Sequence, residues 1–347
     1  MSLILLENYV AHLPGRFRGR ALSRLATAAI AAALVGTTAG TALADSSPAA
    51  SPAQRAAQHS AENSVKRWAE ARSAAKGAPT TDARTAAPGL AAPRALRPSG
   101  PTAAAPFFPV SAVNGSGDIY AYWPDGKGGL TPRQRMDGGW QDINTGVRVD
   151  HNADGMPDGL YLRGPDSNIY YASAGSDGRR IATDWAQYDQ LFTPGNLGGS
   201  KQSDILVRDR SGVLWLYVAS ADGSLSGRKK VGPGWGQFSQ IAGRGDLTGD
   251  GKADIVARDK DGVLWLYKGT GDSTKPFAAR TKIGAGWNQF SKLLGTGDVD
   301  LDGRSDLIAR DGDGALWLYK GTGNASSPFK ARVKIGNSGW NQYRLMF

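Results

Sequence analysis

The stretch DVDLDGRSDLIARDGDGALWLYKGTG, residues 298–323, decides the fold. Its first nine residues set Asp298, Asp300, Asp302 and Asp306 at positions one, three, five and nine of a loop, with Gly303 at position six. Oxygen donors at alternate positions can wrap one hard cation, and glycine at the sixth position permits the sharp turn this requires. The loop runs into Leu307–Arg310, a short apolar β-run. Asp313-Gly314 then supplies the positive φ angles of a tight hairpin, and Ala315–Lys320 is the returning strand.

The same text occurs again upstream, as DLTGDGKADIVARDKDGVLWLYKGTG at residues 246–271. Trp265 and Trp317 hold one position, which Trp215, Tyr170 and Tyr120 hold in earlier copies. Trp140, Trp185, Trp235, Trp287 and Trp340 hold a second, closing position. Five copies of about 50 residues, each with four short strands, predict the blades of a β-propeller. If the strand after each closing Trp opens the next blade, complete blades begin near Gln141, Ala186, Gly236 and Asn288. Three strands are left over near residues 107–136 and one at Asn341–Met346. Joined, they make a fifth blade that clasps the ring shut and removes a free sheet edge. The expected fold class is therefore all-β: a five-bladed propeller of four-stranded blades with an N/C-terminal strand clasp, behind a disordered tail.

Three loops carry the full metal pattern. Asp298, Asp300, Asp302, the Arg304 carbonyl and Asp306 form one ligand set. Asp246, Thr248, Asp250, the Lys252 carbonyl and Asp254 form the second, and Asp150, Asn152, Asp154, the Met156 carbonyl and Asp158 the third. Ca²⁺ is the expected ion, at about three sites. Carboxylates crowded into nine residues repel one another, so the reading as mere turn-capping residues fits poorly. The fourth loop, residues 196–204, has lost the carboxylates at positions one, three and five and has Lys201 in place of glycine, and is expected to stay empty.

This loop, leading into an apolar strand, resembles the FG-GAP/VCBS repeats of integrin-α-like propellers, over about residues 107–347. The resemblance implies a calcium that braces blades on one face, structural rather than catalytic. The short blades, the five-fold count and the Gly-Trp-x-Gln-Phe/Tyr segments also resemble sugar-binding propellers, among them a five-bladed invertebrate lectin and a seven-bladed fungal one. The chain is thus similar to a secreted bacterial, lectin-like propeller.

Composition agrees. Gly, at 47 residues, suits many short strands and tight turns, and with no Cys neither disulfides nor thiolate metal sites are available. The net charge of +10 sits mostly outside the repeats, where residues 1–44 carry four Arg against one Glu and residues 45–105 eight Lys/Arg against four acids. The repeats have no strong footprint for a polyanion, and nucleic acid is not an expected partner. Arg16, Arg18, Arg20 and Arg24, an apolar run over Leu25–Val35 and Ala42-Leu43-Ala44 describe a secretory signal peptide (1–44), not a membrane span. A Pro/Ala-rich linker follows (45–105), with room for a short helix near residues 54–76, and then the propeller (106–347). The expected location is extracellular.

The three His residues (His12, His59, His151) lie in the leader, the linker and a metal loop, and no nucleophile elbow, zinc motif or phosphate-cradling loop appears, so no enzyme is expected. The leading expectation is glycan recognition. Aromatic and planar polar groups recur at the blade junctions: Trp140, Trp185, Trp235, Trp287 and Trp340, with Gln187, Gln237, Gln289 and Gln342 two residues on, and Arg208, Arg258 and Arg310 (with Arg163) closing the second strands. Each also has a bland reading: inter-blade packing for the Trp residues, a neighbouring Asp for the Arg residues. Trp215, Trp265 and Trp317, inside their strands, are expected in the core. The rival function is a protein-interaction scaffold, docking a secreted or cell-surface protein or serving as a subunit of a larger secreted, antibacterial complex.

Overall fold

A computed structural model describes residues 105–173 and 178–347. The leader and nearly all of the linker lie outside the described residues. Among the described residues, twenty strands form five antiparallel sheets of four. Four are continuous in sequence: β4–β7 (Thr145–Val149, Gly159–Arg163, Ile169–Ser173, Arg179–Ala182), β8–β11 (Tyr188–Gly195, Asp204–Asp209, Leu214–Tyr217, Lys229–Gly232), β12–β15 (Phe238–Ala242, Ile255–Asp259, Leu264–Tyr267, Thr281–Gly284) and β16–β19 (Phe290–Gly297, Asp306–Asp311, Leu316–Tyr319, Val333–Gly336). The fifth is split. β20 (Tyr343–Met346) pairs antiparallel with β1 (Val110–Asn114), which pairs with β2 (Ile119–Tyr122), and β2 in turn with β3 (Gln134–Asp137). The clasp expected from the leftover strands is present.

The first strands of the continuous blades neighbour one another and line a central channel, while the fourth strands are the exposed rim. A blade is therefore covered on both faces by its neighbours. This is why the second strands read as unbroken apolar runs: Ile255, Val256 and Ala257 are all buried, as are Leu307, Ile308 and Ala309. The core is accordingly distributed. Five clusters of buried side chains occupy the five junctions, for example Leu206, Leu214, Leu216, Phe238, Ile255 and Ala257 between the β8 and β12 blades.

Local geometry corrects two expectations. The segments opening at Asn288 and Asn341 do not start as strands. Trp185–Gln187, Trp235–Gln237, Trp287–Gln289 and Trp340–Gln342 are 3₁₀ turns, and the inner strand begins at the aromatic residue that follows. The hairpin at Asp313-Gly314 has a positive φ at Gly314 alone, with Asp311 N–H bonded to the Ala315 carbonyl. The Asp311 side chain stabilises this turn by accepting the Ala315 N–H and the Trp317 indole N–H (2.8 and 2.7 Å).

Candidate functional site

Two sets of repeated residues occupy the ring: the acidic loops, which join first to second strands, and the Trp turns, which join each blade to the next.

In the three intact loops, the first Asp accepts backbone N–H groups. Asp150 takes those of Ala153 and Gly155, Asp246 those of Gly249 and Gly251, and Asp298 that of Gly303, at 2.6–2.8 Å. The fifth position accepts the N–H of the seventh: Asp154 from Met156, Asp250 from Lys252, Asp302 from Arg304. Glycine at position six is left-handed as expected (Gly155, Gly251, Gly303), but so is position four, where Ala153 and Leu301 adopt φ 60° beside Gly249 at 80°. Because two of these three are not glycine, the residue types carried no sign of it.

The ninth Asp has a role that sequence reasoning missed. Asp254 accepts the N–H of Leu247 and Gly269, and Asp306 those of Val299 and Gly321, at 2.7–2.9 Å. Asp204, in the loop that lost its other acids, makes the same pair of bonds to Leu197 and Ala219 (2.8 and 3.4 Å). In these three loops the ninth carboxylate thus ties the loop to the end of the third strand whether or not the other ligands are present, while Asp158 accepts the His151 and Asn152 N–H groups of its own loop. The persistence of Asp204 in the degenerate loop was the available signal.

Asp204 is fully buried, and burial raises its pKa to about 6. A carboxyl whose folded pKa lies above its unfolded value binds more protons folded than unfolded between those values, so it costs stability as pH rises through that window. Asp204→Asn should therefore flatten the fall in stability between about pH 4 and 6.5. The wild type should lose up to about 2 kcal/mol more than the variant over that range in urea melts, and parallel profiles would refute this assignment.

Of the three loops, residues 298–306 show the clearest cation geometry. Oxygens of Asp298, Asp300 and Asp306 lie within 4.8 Å of one another. Asp300 Oδ1 is buried without a hydrogen-bond partner, while Oδ2 meets Lys320 at 2.9 Å. Burial first, and the neighbouring Asp300 and Asp298 in addition, push the Asp306 pKa up to about 7. The residues present fit a hard cation: all-oxygen donors, one of them unsatisfied.

The Trp turns explain the other recurring residues. Gly234, Gly286 and Gly339 enter each turn at positive φ, and the Gln two residues beyond the Trp donates back to the same glycine's carbonyl at 2.7–2.9 Å. The indole then packs, tilted by 31–47°, on a tyrosine of the next blade: Trp185 on Tyr217, Trp235 on Tyr267, Trp287 on Tyr319, Trp340 on Tyr122, with centroids 4.3–4.9 Å apart. Trp140 faces Ala172 in place of the tyrosine and stacks on the C-terminal Phe347. Trp140, Trp185, Trp235 and Trp287 are buried and Trp340 is partly buried, so the packing role is directly visible.

Arg208, Arg258 and Arg310 are committed to these turns. Each sends Nη1 to two carbonyls of the following turn: Trp235 and Phe238, Trp287 and Phe290, Trp340 and Tyr343. Arg163 bonds the Tyr188 carbonyl. At the fifth junction Arg344 does the same work from the inner strand, donating to Trp140 and Ile143. Of these arginines Arg208 alone also finds an Asp among the described residues, in a bidentate pair with Asp189 (2.9 and 2.6 Å). With Nη1 on backbone carbonyls and Nε of Arg208, Arg258 and Arg310 on Asp189, Ser239 and Ser291, these arginines position the junctions. The expectation of core for Trp215, Trp265 and Trp317 is corrected too. They are half-buried, with the indole N–H on Asp209, Asp259 or Asp311 and one face under the guanidinium of Arg228, Arg280 or Arg332 at 4.1–4.4 Å. His151 is buried against Tyr161, and burial lowers its pKa to about 4, so it is neutral at physiological pH.

A cleft of ≈ 280 Å³ opens beside one turn, between the β8 and β12 blades. Trp235, Phe238, Tyr267 and Phe277 form its apolar wall, and Gln237, Thr274 and Lys275 its polar rim. At the next junction Trp287 and Tyr319 repeat the ring geometry (4.6 Å, 33°, against 4.6 Å, 34° for Trp235 and Tyr267), with Phe290 and Phe329 in place of Phe238 and Phe277.

Residues 246–309 match the FG-GAP-like repeat family, and the expected resemblance is borne out there. No curated protein matches the chain. Similar solved structures include the BP39L lectin from Burkholderia pseudomallei (16% identity, 69% of this chain and 73% of that one, TM-score 0.44). A triple arginine-to-alanine mutant of AofleA from Arthrobotrys oligospora is another (10%, 68% and 73%, TM-score 0.41), as is human WBSCR16 (11%, 62% and 61%, TM-score 0.31). Among the described residues no helix is long and apolar enough to cross a membrane.

Proposed function

We propose that this protein is a secreted, calcium-braced β-propeller that binds glycans in the clefts between its blades and carries out no catalysis. The observation that carries the reading is the cleft at Trp235, where an apolar aromatic wall meets an amide, a hydroxyl and an ammonium at its rim. A pyranose has that same duality. Its C–H face packs on aromatic surface while its hydroxyls seek planar polar partners, and concave sites of a few hundred Å³ suit such ligands. The near-identical ring pairs at neighbouring junctions support several equivalent weak sites that act together on a repetitive surface. The recurring Trp residues enter this reading as walls, and Arg208, Arg258 and Arg310 as the groups that position them.

Calcium enters through the acidic loops, supported by the clustered oxygens of Asp298, Asp300 and Asp306 and by the unsatisfied Asp300 Oδ1. It is given a bracing role, since these loops and the Trp turns lie at opposite ends of the first strands. Secretion rests on the leader sequence.

A glycan array with the purified propeller tests the ligand class. Selective binding to one sugar class, weakened about tenfold or more by Lys275→Ala, is the expected result, since a hydrogen bond from a charged group contributes about 1.5–3 kcal/mol. An empty array together with one stably co-purifying protein would establish the scaffold reading instead. Among the described residues Val333 is the one large apolar side chain that is strongly exposed, which gives a protein partner little apolar surface to cover.

A further inference from the structure

The central channel is a second cavity, of ≈ 410 Å³, and its wall is graded. At one mouth Asn144, Asp189, Ser239 and Ser291 are exposed. One residue further in, Thr145, Gln190, Gln240, Lys292 and Leu345, one from each blade, form a partly buried ring. Beyond it Leu191, Ile241, Leu293 and Met346 are buried. At the far end lie Arg148 and Arg244, both buried. Arg244 donates to the carbonyls of Gly295 and Arg148, and its guanidinium rests on the Phe108 ring at 3.8 Å. Phe108 belongs to the segment entering β1 and is fixed by its N–H on the Thr296 carbonyl (3.1 Å). That segment lies across the Arg244 end, so the cavity is approached from the exposed mouth.

The lining is cationic. It contains Arg148, Arg244, Arg258 and Lys292 against a single acid, Asp189, whose carboxylate is already paired with Arg208. Lys292 has no hydrogen-bond or ion-pair partner among the described residues, and burial together with Arg310 pushes its pKa down. Gln190 Oε1, on the same ring level, is buried and unpartnered. An uncompensated ammonium in a narrow, partly desolvated cavity costs stability that a bound anion would restore, and low-dielectric walls focus the field of the neighbouring guanidiniums on the same space.

We propose that the channel binds a small hydroxy-carboxylate, with Lys292 as its ion-pair partner and the Gln190 amide as a hydroxyl contact. A free sugar acid and the terminal uronate of a glycan share this chemistry. The site is distinct from the inter-blade clefts and does not depend on them.

The test is calorimetric titration, at low salt, of the calcium-loaded full propeller with sodium glucuronate, a uronate-terminated tetrasaccharide and glucose. Glucuronate or the tetrasaccharide should bind while glucose does not, and Lys292→Gln should weaken binding about tenfold or more. The binding that Lys292→Gln removes should persist in Lys275→Ala, which alters only the cleft, so failure of the glycan reading and failure of this one are separable. Lys292-dependent binding of the free acid alone identifies a soluble metabolite as the source, and Lys292-dependent binding of the tetrasaccharide identifies a glycan end. Lys292→Met gives a second readout that needs no ligand, because removing an unpaired, partly desolvated charge should raise or preserve the melting temperature, and a lowered one would overturn the proposal. Equal affinity in wild type and Lys292→Gln, equal binding of glucose, or no binding of either acid would overturn the proposal.

Discussion

A chain ending at Ser338 should fail to form a cooperatively folded ring. The residues removed include the whole of β20, the inner strand of the split blade. Tyr343 and Met346 are each 3% exposed and belong to the junction with the β16 blade, while Leu345 and Phe347 pack into the junction with the β4 blade. One short strand therefore closes two of the five hydrophobic junctions. At roughly 1.5–3 kcal/mol for each fully buried large apolar side chain, Tyr343 and Met346 contribute about 3–6 kcal/mol and the partly buried Leu345 and Phe347 add less, a sum that reaches the stability of a marginal domain. Polar losses add to this. The Tyr343 hydroxyl leaves that of Tyr122, Arg344 leaves the carbonyls of Trp140 and Ile143, and β1 becomes an open edge. The measurement is near-ultraviolet circular dichroism with thermal melting, and a synthetic peptide of residues 339–347 added in trans should restore the signal. A truncated chain that melts within about 2 °C of the intact protein would show that the clasp does not hold the ring.

Legibility in the sequence followed the repeats. Blade number, strand order and clasp could be read because the Trp at each closing position and the Leu-Trp-Leu-Tyr strands recur about every 50 residues. The chemistry of the repeated polar residues could not be read in the same way. Arg258 and Gln289 recur as a sugar-contact residue would, yet both bond backbone carbonyls of the Trp287 turn, which Arg258 reaches from the preceding blade. Recurrence shows that a residue is needed in every blade but does not say for what. The channel was invisible for the opposite reason. Thr145, Gln190, Gln240, Lys292 and Leu345 are of four different types, and only the ring closure brings them to one level.

Chelation of calcium should produce the second large effect. An ion that binds only the folded state stabilises it by RT ln(1 + [L]/Kd), about 2.7 kcal/mol per site at a hundredfold excess over Kd. For a propeller of this size each kcal/mol moves the melting temperature by about 2–4 °C. Three loaded loops should therefore lose on the order of 10 °C or more in EDTA, and an unchanged melt would remove calcium from the account. The structure also places the consequence. The segment entering β1 bridges two acidic loops, since the Pro106 carbonyl accepts the Asp298 N–H and the Phe107 N–H donates to the Gly155 carbonyl, both at 2.7 Å. Without the ion, the carboxylates of Asp298, Asp300 and Asp306 repel one another and the loop that holds Pro106 loosens. Chymotrypsin should then cut after Phe107, which is buried in the intact ring, well below the melting temperature in EDTA and not in calcium; the bond after Phe108 is protected by Pro109. Asp300→Asn should reproduce part of the thermal loss in calcium, because it removes a charge from the cluster while leaving the Asp306 bonds to Val299 and Gly321 intact. That split separates the metal role of the loop from the bracing that its ninth carboxylate performs by itself.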